Sequence, residues 1–199
     1  MDKRLSAIIL AAGMSERMGK PKFALGFEMQ KTFLEEIIAR YSEFPCEEII
    51  VVMNVNGRAL LDSLKIKLPA NTKITINPNP EHGRFSSIKT GLNHLSNRTA
   101  VFIHNVDNPF VNVGLLRALS TNLGHADYCV PMFKNRGGHP ILISPKVVDA
   151  IINCSHDDLN LKEYLKAFEK KTSEINNPKI LININSIQDY EEMFSGIKG

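Results

Sequence analysis

Cysteine is scarce in this 199-residue chain, with Cys46, Cys129 and Cys154 the three present. They are far apart and form no Cys-x-x-Cys pair, so nothing supports a zinc knuckle or a redox motif. They read as buried or half-buried thiols in a reducing cytosol, which makes the expected localisation cytoplasmic. Long apolar runs are missing as well. No stretch of about 18 apolar residues exists, so no membrane-spanning helix is expected. The apolar stretch 5–12 follows Asp2, Lys3 and Arg4 and is too short for a secretory signal, so it reads as a first strand. A dominant charge is also lacking. The 24 basic and 21 acidic residues leave a formal +3, too balanced for a nucleic-acid or membrane partner.

What is present is ordinary globular composition, 43% hydrophobic and 23% charged. The length fits one domain over 1–199, enough to bury roughly 70% of the surface the unfolded chain exposes. Apolar spacing predicts strands over 6–10, 48–53, 73–76, 100–106, 128–132, 140–143 and 180–184. It predicts helices over 32–41, 57–67, 85–95, 113–123, 146–152, 161–168 and 186–194, the last with Ser186 as N-cap. Continuous apolar strands between amphipathic helices imply a mostly parallel sheet covered on both faces. Strands of the second half that lack intervening helices make it a mixed sheet. The turn clusters 77–80 and 135–138 read as loops within one domain.

Ligands of open α/β sheets sit beyond the C-terminal strand ends. The loop after the first strand is therefore informative. It runs Leu10-Ala11-Ala12-Gly13-Met14-Ser15-Glu16-Arg17-Met18-Gly19-Lys20-Pro21-Lys22. Small residues let the backbone approach a ligand and turn N–H groups toward phosphate oxygens. Arg17, Lys20 and Lys22 add fixed positive charge, as a triphosphate requires. It is not a P-loop, because five residues separate Gly13 from Gly19-Lys20 and Pro21 follows. The dinucleotide fingerprint Gly-x-Gly-x-x-Gly is absent too. The plainer reading is a glycine-bearing turn with solvated basic residues.

This loop resembles the opening motif of the MobA-like nucleotidyltransferases, with the strongest likeness to their molybdenum cofactor cytidylyltransferase branch. The resemblance implies a Rossmann-like doubly wound three-layer α/β sandwich, of the nucleotide-diphospho-sugar transferase type, with a mostly parallel mixed sheet. It implies nucleotide contact along Leu10, Ala11, Ala12 and Gly13. Arg17 and Lys22 are implied to face the phosphates, with Lys22 stabilising charge during transfer.

Four further segments carry chemistry. Ser86 and Ser87 open a helix at 85–95, where they either cap it or donate to a base or phosphate. They resemble the family's Gly-x-x-Ser-Ser segment, which implies base reading by Ser87 with Ser86 beside it. Asp107 ends an apolar strand, and its carboxylate either caps a turn or holds Mg²⁺, a hard cation that prefers oxygen. It resembles the aspartate of the family's Asp-x-Pro motif, implied to bind the metal, with Asn108 where Gln or Met is usual. Gly137-Gly138-His139-Pro140 is similar to a segment of the cytidylyltransferase branch, so His139 either touches the acceptor or stabilises the turn. Asn183 and Asn185 replace the usual Asp-Ile-Asp of that branch and look more like the guanylyltransferases. They either offer neutral oxygens to Mg²⁺ or hold a strand end.

The implied reaction moves a nucleotidyl group from CTP, with GTP as competitor, to a phosphorylated acceptor such as molybdopterin, releasing pyrophosphate. Ala11-Ala12-Gly13 favours cytidylyl transfer; Asn183 and Asn185 pull toward guanylyl. A molybdoenzyme is the kind of partner protein the resemblance suggests. Two alternatives stay open: a sugar- or alditol-phosphate nucleotidyltransferase, and a non-catalytic nucleotide-binding chaperone for a cofactor.

Overall fold

The computed structural model describes residues 5–13, 18–28 and 31–194. Its centre is an eight-stranded sheet: β1 (Leu5–Ala11), β2 (Cys46–Met53), β3 (Thr72–Ile76), β4 (Ala100–Asn105), β5 (Tyr128–Phe133), β6 (Arg136–Gly137), β7 (Ile141–Ile143) and β8 (Lys170–Glu174). The order is β3-β2-β1-β4-β7-β5-β6, and β8 pairs with β5. The first four spatial neighbours are parallel, while β7 runs antiparallel between β4 and β5. Tyr128 pairs with both Ile143 and Lys170, and Met132 with both Gly137 and Glu174. Thus β6 and β7 lie on one side of β5, and β8 lies on the other. The sheet is mostly parallel and mixed, as expected.

Helices cover both faces because β1 is buried at every position and apolar at all but Ser6, whose hydroxyl accepts from Thr99 Oγ1 at 3.0 Å. Ala7, Ile9 and Ala11 belong to a core shared with α1 (Phe33–Glu43), α4 (Val113–Leu123) and Phe194 of α7 (Ile187–Phe194). Ile8 and Leu10 point the other way, to α3 (Arg84–Asn93) and α5 (Pro145–Ile152). A period of two places alternate residues on opposite faces, so a strand buried on both sides reads as a nearly continuous apolar run. Each such Ile or Phe contributes about 1.5–3 kcal/mol by leaving water. α3 lies close on β1 and β2 because of Gly91, where a Cβ would come within 2.8 Å of the Ile8 side chain and 2.9 Å of Val52.

Local signals set the helix starts. Thr32 and Glu35 form a reciprocal capping box on α1. Asn54 caps α2 (Val55–Leu64) by accepting from Gly57 N at 2.7 Å. At α3 the serines do not cap; Gly83 does, at φ +88°, a conformation glycine adopts without steric cost. Among the described residues no helix is long and apolar enough to cross a membrane.

The last third departs from the pattern. The expected strand over 180–184 is not one. Its segment begins in a 3₁₀ turn, Pro178–Leu181, and continues extended but outside the sheet. Isolated side-chain and backbone bonds replace the ladder, among them His139 N donating to Ile180 O at 3.0 Å. The Asn108 amide donates to the carbonyls of Ile180 and Ile182 at 3.2 and 2.6 Å. Ile184 N donates to Asp107 O at 2.8 Å. The strand that does follow β7 in sequence is β8, which is polar and exposed except at Ser173. The expected helix 161–168 is a single turn, α6 (Leu161–Tyr164), followed by a 3₁₀ turn.

Candidate active site

The C-terminal ends of β1 and β4 open onto a cleft of about 470 Å³. Leu10, Ala11, Ala12 and Gly13 line its floor, directly past β1. Asn54 steadies that floor from β2's end by donating to Ala12 O at 2.9 Å. Lys22 enters from the first loop, Ser87 from α3, Asp107 from the turn after β4, and Asn185 from the segment before α7. Residues 85 and 163 positions apart in the chain meet here, because Lys22 Nζ lies 3.4 Å from Asp107 Oδ2 and 2.7 Å from Asn185 Oδ1. Lys22 and Asp107 therefore share one crevice, with side chains 18% and 21% exposed.

Each arm is fixed by its own backbone chemistry. Lys22 begins a 3₁₀ turn, Lys22–Ala24, whose Phe23 is buried and anchors the loop. Asn185 is fixed by the start of α7. The Asp189 carboxylate accepts from Asn185 N and Ser186 N at 2.8 Å each, and Ser186 Oγ accepts from Asp189 N at 3.1 Å. Those backbone donors hold the Asp189 carboxyl below the usual range. Tyr190 O–H then donates to Gly26 O at 3.0 Å, tying α7 to the Lys22 loop. Asp107 Oδ1 and Asn183 Oδ1 are buried oxygens that accept no hydrogen bond from the described residues. Among the described residues no group of three or more His, Cys, Asp or Glu side chains is placed to hold a metal. A cation in the cleft would therefore lean on Asp107, neutral oxygens and its own ligand's phosphates.

The other expected site residues sit differently. Ser86 is turned away from the lining and donates to Asn77 Oδ1 at 3.2 Å. His139 does not line the cleft, although it senses both Arg84 and Asp107. Its pKa is lowered by burial first and then by the Arg84 charge, against an opposing pull from Asp107. Asn183 does not line the cleft either. Arg17 lies outside the described residues. Sequence reasoning gave no role to Arg84, the first residue of α3, which lines the cleft. A cation beside a glycine cap at the head of a helix was the available signal. It also passed over Asn77.

Behind Asp107 a buried relay braces the turn. His104 is fully buried; its Nε2–H donates to Asn108 O at 2.7 Å and its Nδ1 accepts from Tyr41 O–H at 3.0 Å. Burial pushes the His104 pKa down to about 4. The unfolded chain protonates this imidazole near its ordinary 6.5, while the folded chain refuses the proton until about 4. Stability is therefore lost as pH falls through that window, and the lowered His139 pKa acts in the same direction. The melting temperature should drop between pH 7 and 5. In His104→Gln the drop should be shallower, and an unchanged slope would remove His104 from the explanation.

Gly13 past β1, a lysine and a carboxylate past β4 line one cleft at the switch point of a doubly wound α/β sheet, where folds of this class bind their ligands. The family comparison is more specific: residues 7–173 match the MobA-like NTP transferase domain, and the chain belongs to that family and is a nucleotidyltransferase. It is similar to the molybdenum cofactor cytidylyltransferase of Escherichia coli (strain K12), 28% identical over 187 residues, covering 94% of this chain and 93% of that protein. Among solved structures it resembles Rv0371c of Mycobacterium tuberculosis H37Rv (TM-score 0.81, 17% identity, 98% of this chain and 100% of that one). That protein has also been solved in complex with manganese. It further resembles a nucleotidyl transferase from Methanothermobacter thermautotroptrophicus (TM-score 0.77, 18% identity, 99% and 98%). The fold is thus of the nucleotide-diphospho-sugar transferase type.

Proposed function

We propose that this nucleotidyltransferase moves CMP from CTP onto molybdopterin, with GTP as the competing donor, and releases pyrophosphate. The observation that carries the reading is the meeting of Lys22, Asp107 and Asn185 at one cleft beside the Ala11-Ala12-Gly13 floor. The similarity to the Escherichia coli cytidylyltransferase supports the choice of base and acceptor.

An oxygen of the acceptor phosphate attacks the α-phosphorus in line. The new phosphorus–oxygen bond forms as the bond to the β-phosphate oxygen breaks, and pyrophosphate carries away the electron pair. No protein nucleophile takes part, so catalysis is positioning and charge stabilisation. Backbone N–H groups of the floor hold phosphate oxygens, and the Lys22 ammonium offsets charge on the departing pyrophosphate. Mg²⁺ fits this donor set, because Asp107 Oδ1 is a hard anionic oxygen and Asn185 brings a neutral oxygen to the same cleft; Asn183, two residues earlier, lies outside the lining but carries a buried amide oxygen. When bound it neutralises phosphate charge and orients the attack.

A melting-temperature screen tests the donor. At a hundred times its dissociation constant a ligand stabilises the folded state by about 2.7 kcal/mol. With Mg²⁺ present CTP should raise the midpoint by about 5–10 °C, and GTP by less. Pyrophosphate release should then require molybdopterin. Turnover with a sugar or alditol phosphate instead would reassign the acceptor, and CTP binding without turnover on any acceptor would favour a chaperone.

A further inference from the structure

We propose that Asn77 is a positioning residue that locks Ser87 as a hydrogen-bond donor toward an acceptor atom of the nucleotide base. The inference rests on the cleft being a nucleotide site and adds the polarity with which that site is read. Asn77 follows β3 and is 1% exposed, with its own N–H bonded to Met53 O at 2.8 Å. Its side chain fills the gap between the end of β3 and the start of α3.

The orientation of the amide is fixed by a group that cannot reverse. Asn79 N donates to Asn77 Oδ1 at 3.0 Å, and a backbone N–H has no way to accept. That end of the amide is therefore the oxygen, and Ser86 O–H donates to it as well, at 3.2 Å. The opposite end is the NH₂, 3.0 Å from Ser87 Oγ. An amide nitrogen only donates, so Ser87 must accept. A hydroxyl carries one proton, and here it is left over. The protein offers it Gly83 O at 3.5 Å, far beyond the 2.7–2.8 Å usual for O–H···O. That carbonyl already takes Ser87 N at 3.4 Å. Ser87 lines the cleft, so the spare proton is available to a ligand there. The ligand atom that suits it is a lone pair on a base edge, such as the O2 or N3 of cytosine. A base N–H in the same place would have to take the second lone pair of Oγ and leave the proton to the long contact with Gly83 O, a poorer arrangement.

Asn77→Asp inverts this polarity at nearly constant volume. The carboxylate still accepts from Asn79 N and Ser86 but has no proton for Ser87. The Ser87 hydroxyl then donates back to residue 77 and presents lone pairs to the cleft. The KM for CTP should rise about tenfold, the cost of facing an acceptor without a donor. kcat should change by less than about threefold, and the affinity for tripolyphosphate, which has no base, should be unchanged. In a Ser87→Ala background the same Asn77→Asp change should add less than about twofold. A full additional loss there, or an equal loss of tripolyphosphate affinity, would make Asn77 merely structural and overturn the inference. Should Asn77→Asp fail to fold, Ser87→Ala alone decides, because an unaltered KM for CTP would also overturn it. A wild-type protein stabilised by no nucleoside triphosphate would instead bring down the nucleotide reading itself, a result separable from the others.

Discussion

Lys22→Ala should lower the rate of pyrophosphate release by about 100- to 1000-fold, the usual loss when one charge-stabilising donor is removed from a transition state. The ammonium sits at the mouth of the sheet, between Asp107 Oδ2 and Asn185 Oδ1. The position suits a group that meets negative charge as it grows on a leaving polyphosphate. Because that charge peaks in the transition state, kcat should fall more than the KM for CTP rises. The fold should persist. Phe23, not Lys22, anchors the loop in the core, and the two oxygens left behind face the cleft, where water reaches them. Lys22→Arg should recover part of the activity, since charge is kept while the planar fork replaces a compact ammonium. Loss of less than about threefold in Lys22→Ala, measured as initial rates of pyrophosphate release, would withdraw Lys22 from the chemistry.

Asp107→Asn should cost about 1000-fold in kcat/KM and raise the Mg²⁺ concentration giving half-maximal rate. The change removes a negative charge from the turn after β4 while keeping side-chain volume. The backbone bond from Ile184 N to Asp107 O is untouched, so the segment carrying Asn185 stays in place. In the wild type, Asp107 Oδ1 is buried and accepts nothing from the described residues, a cost that a bound cation would offset. A neutral amide there offers a weaker oxygen and competes less well for the cation. Melting curves without ligand should be near those of the wild type. A variant with normal activity and normal Mg²⁺ dependence would show that the carboxylate only turns the chain after β4.

The parallel half of the sheet was legible because burial on both faces forces continuous apolar strands, and β1, β2 and β4 carry such runs. Helices α1, α3 and α4 were legible from stripes at helical spacing. Errors gathered where backbone pairing is decided by neighbours rather than by composition. Strand β8, Lys-Lys-Thr-Ser-Glu, has no apolar alternation to find; it is a strand because it lies along β5 at the edge. Residues 180–184 alternate like a strand, yet the carbonyls of Ile180 and Ile182 go to the Asn108 amide rather than to a neighbouring strand. The same limit applied inside the cleft. Lys22, Ser87, Asp107 and Asn185 could each be picked out by residue type and motif. That Ser87 lines the cleft while Ser86 does not follows from how α3 is set against the end of β3, where Asn77 bonds both serines, and the residue type of Asn77 signals only a turn.

The amino-acid sequence determined the class of fold, the glycine turn after β1 and the residue types able to handle a triphosphate. Periodicity and short motifs are local properties, set by a helical or extended backbone and by what a loop side chain can donate or accept. Only the tertiary structure decided that Lys22, Asp107 and Asn185 meet, that the final arm is stapled outside the sheet, and that one serine of a pair is available to a ligand. Those outcomes follow from which distant groups satisfy each other's hydrogen bonds, and hydrophobic patterning along the chain carries no record of that pairing.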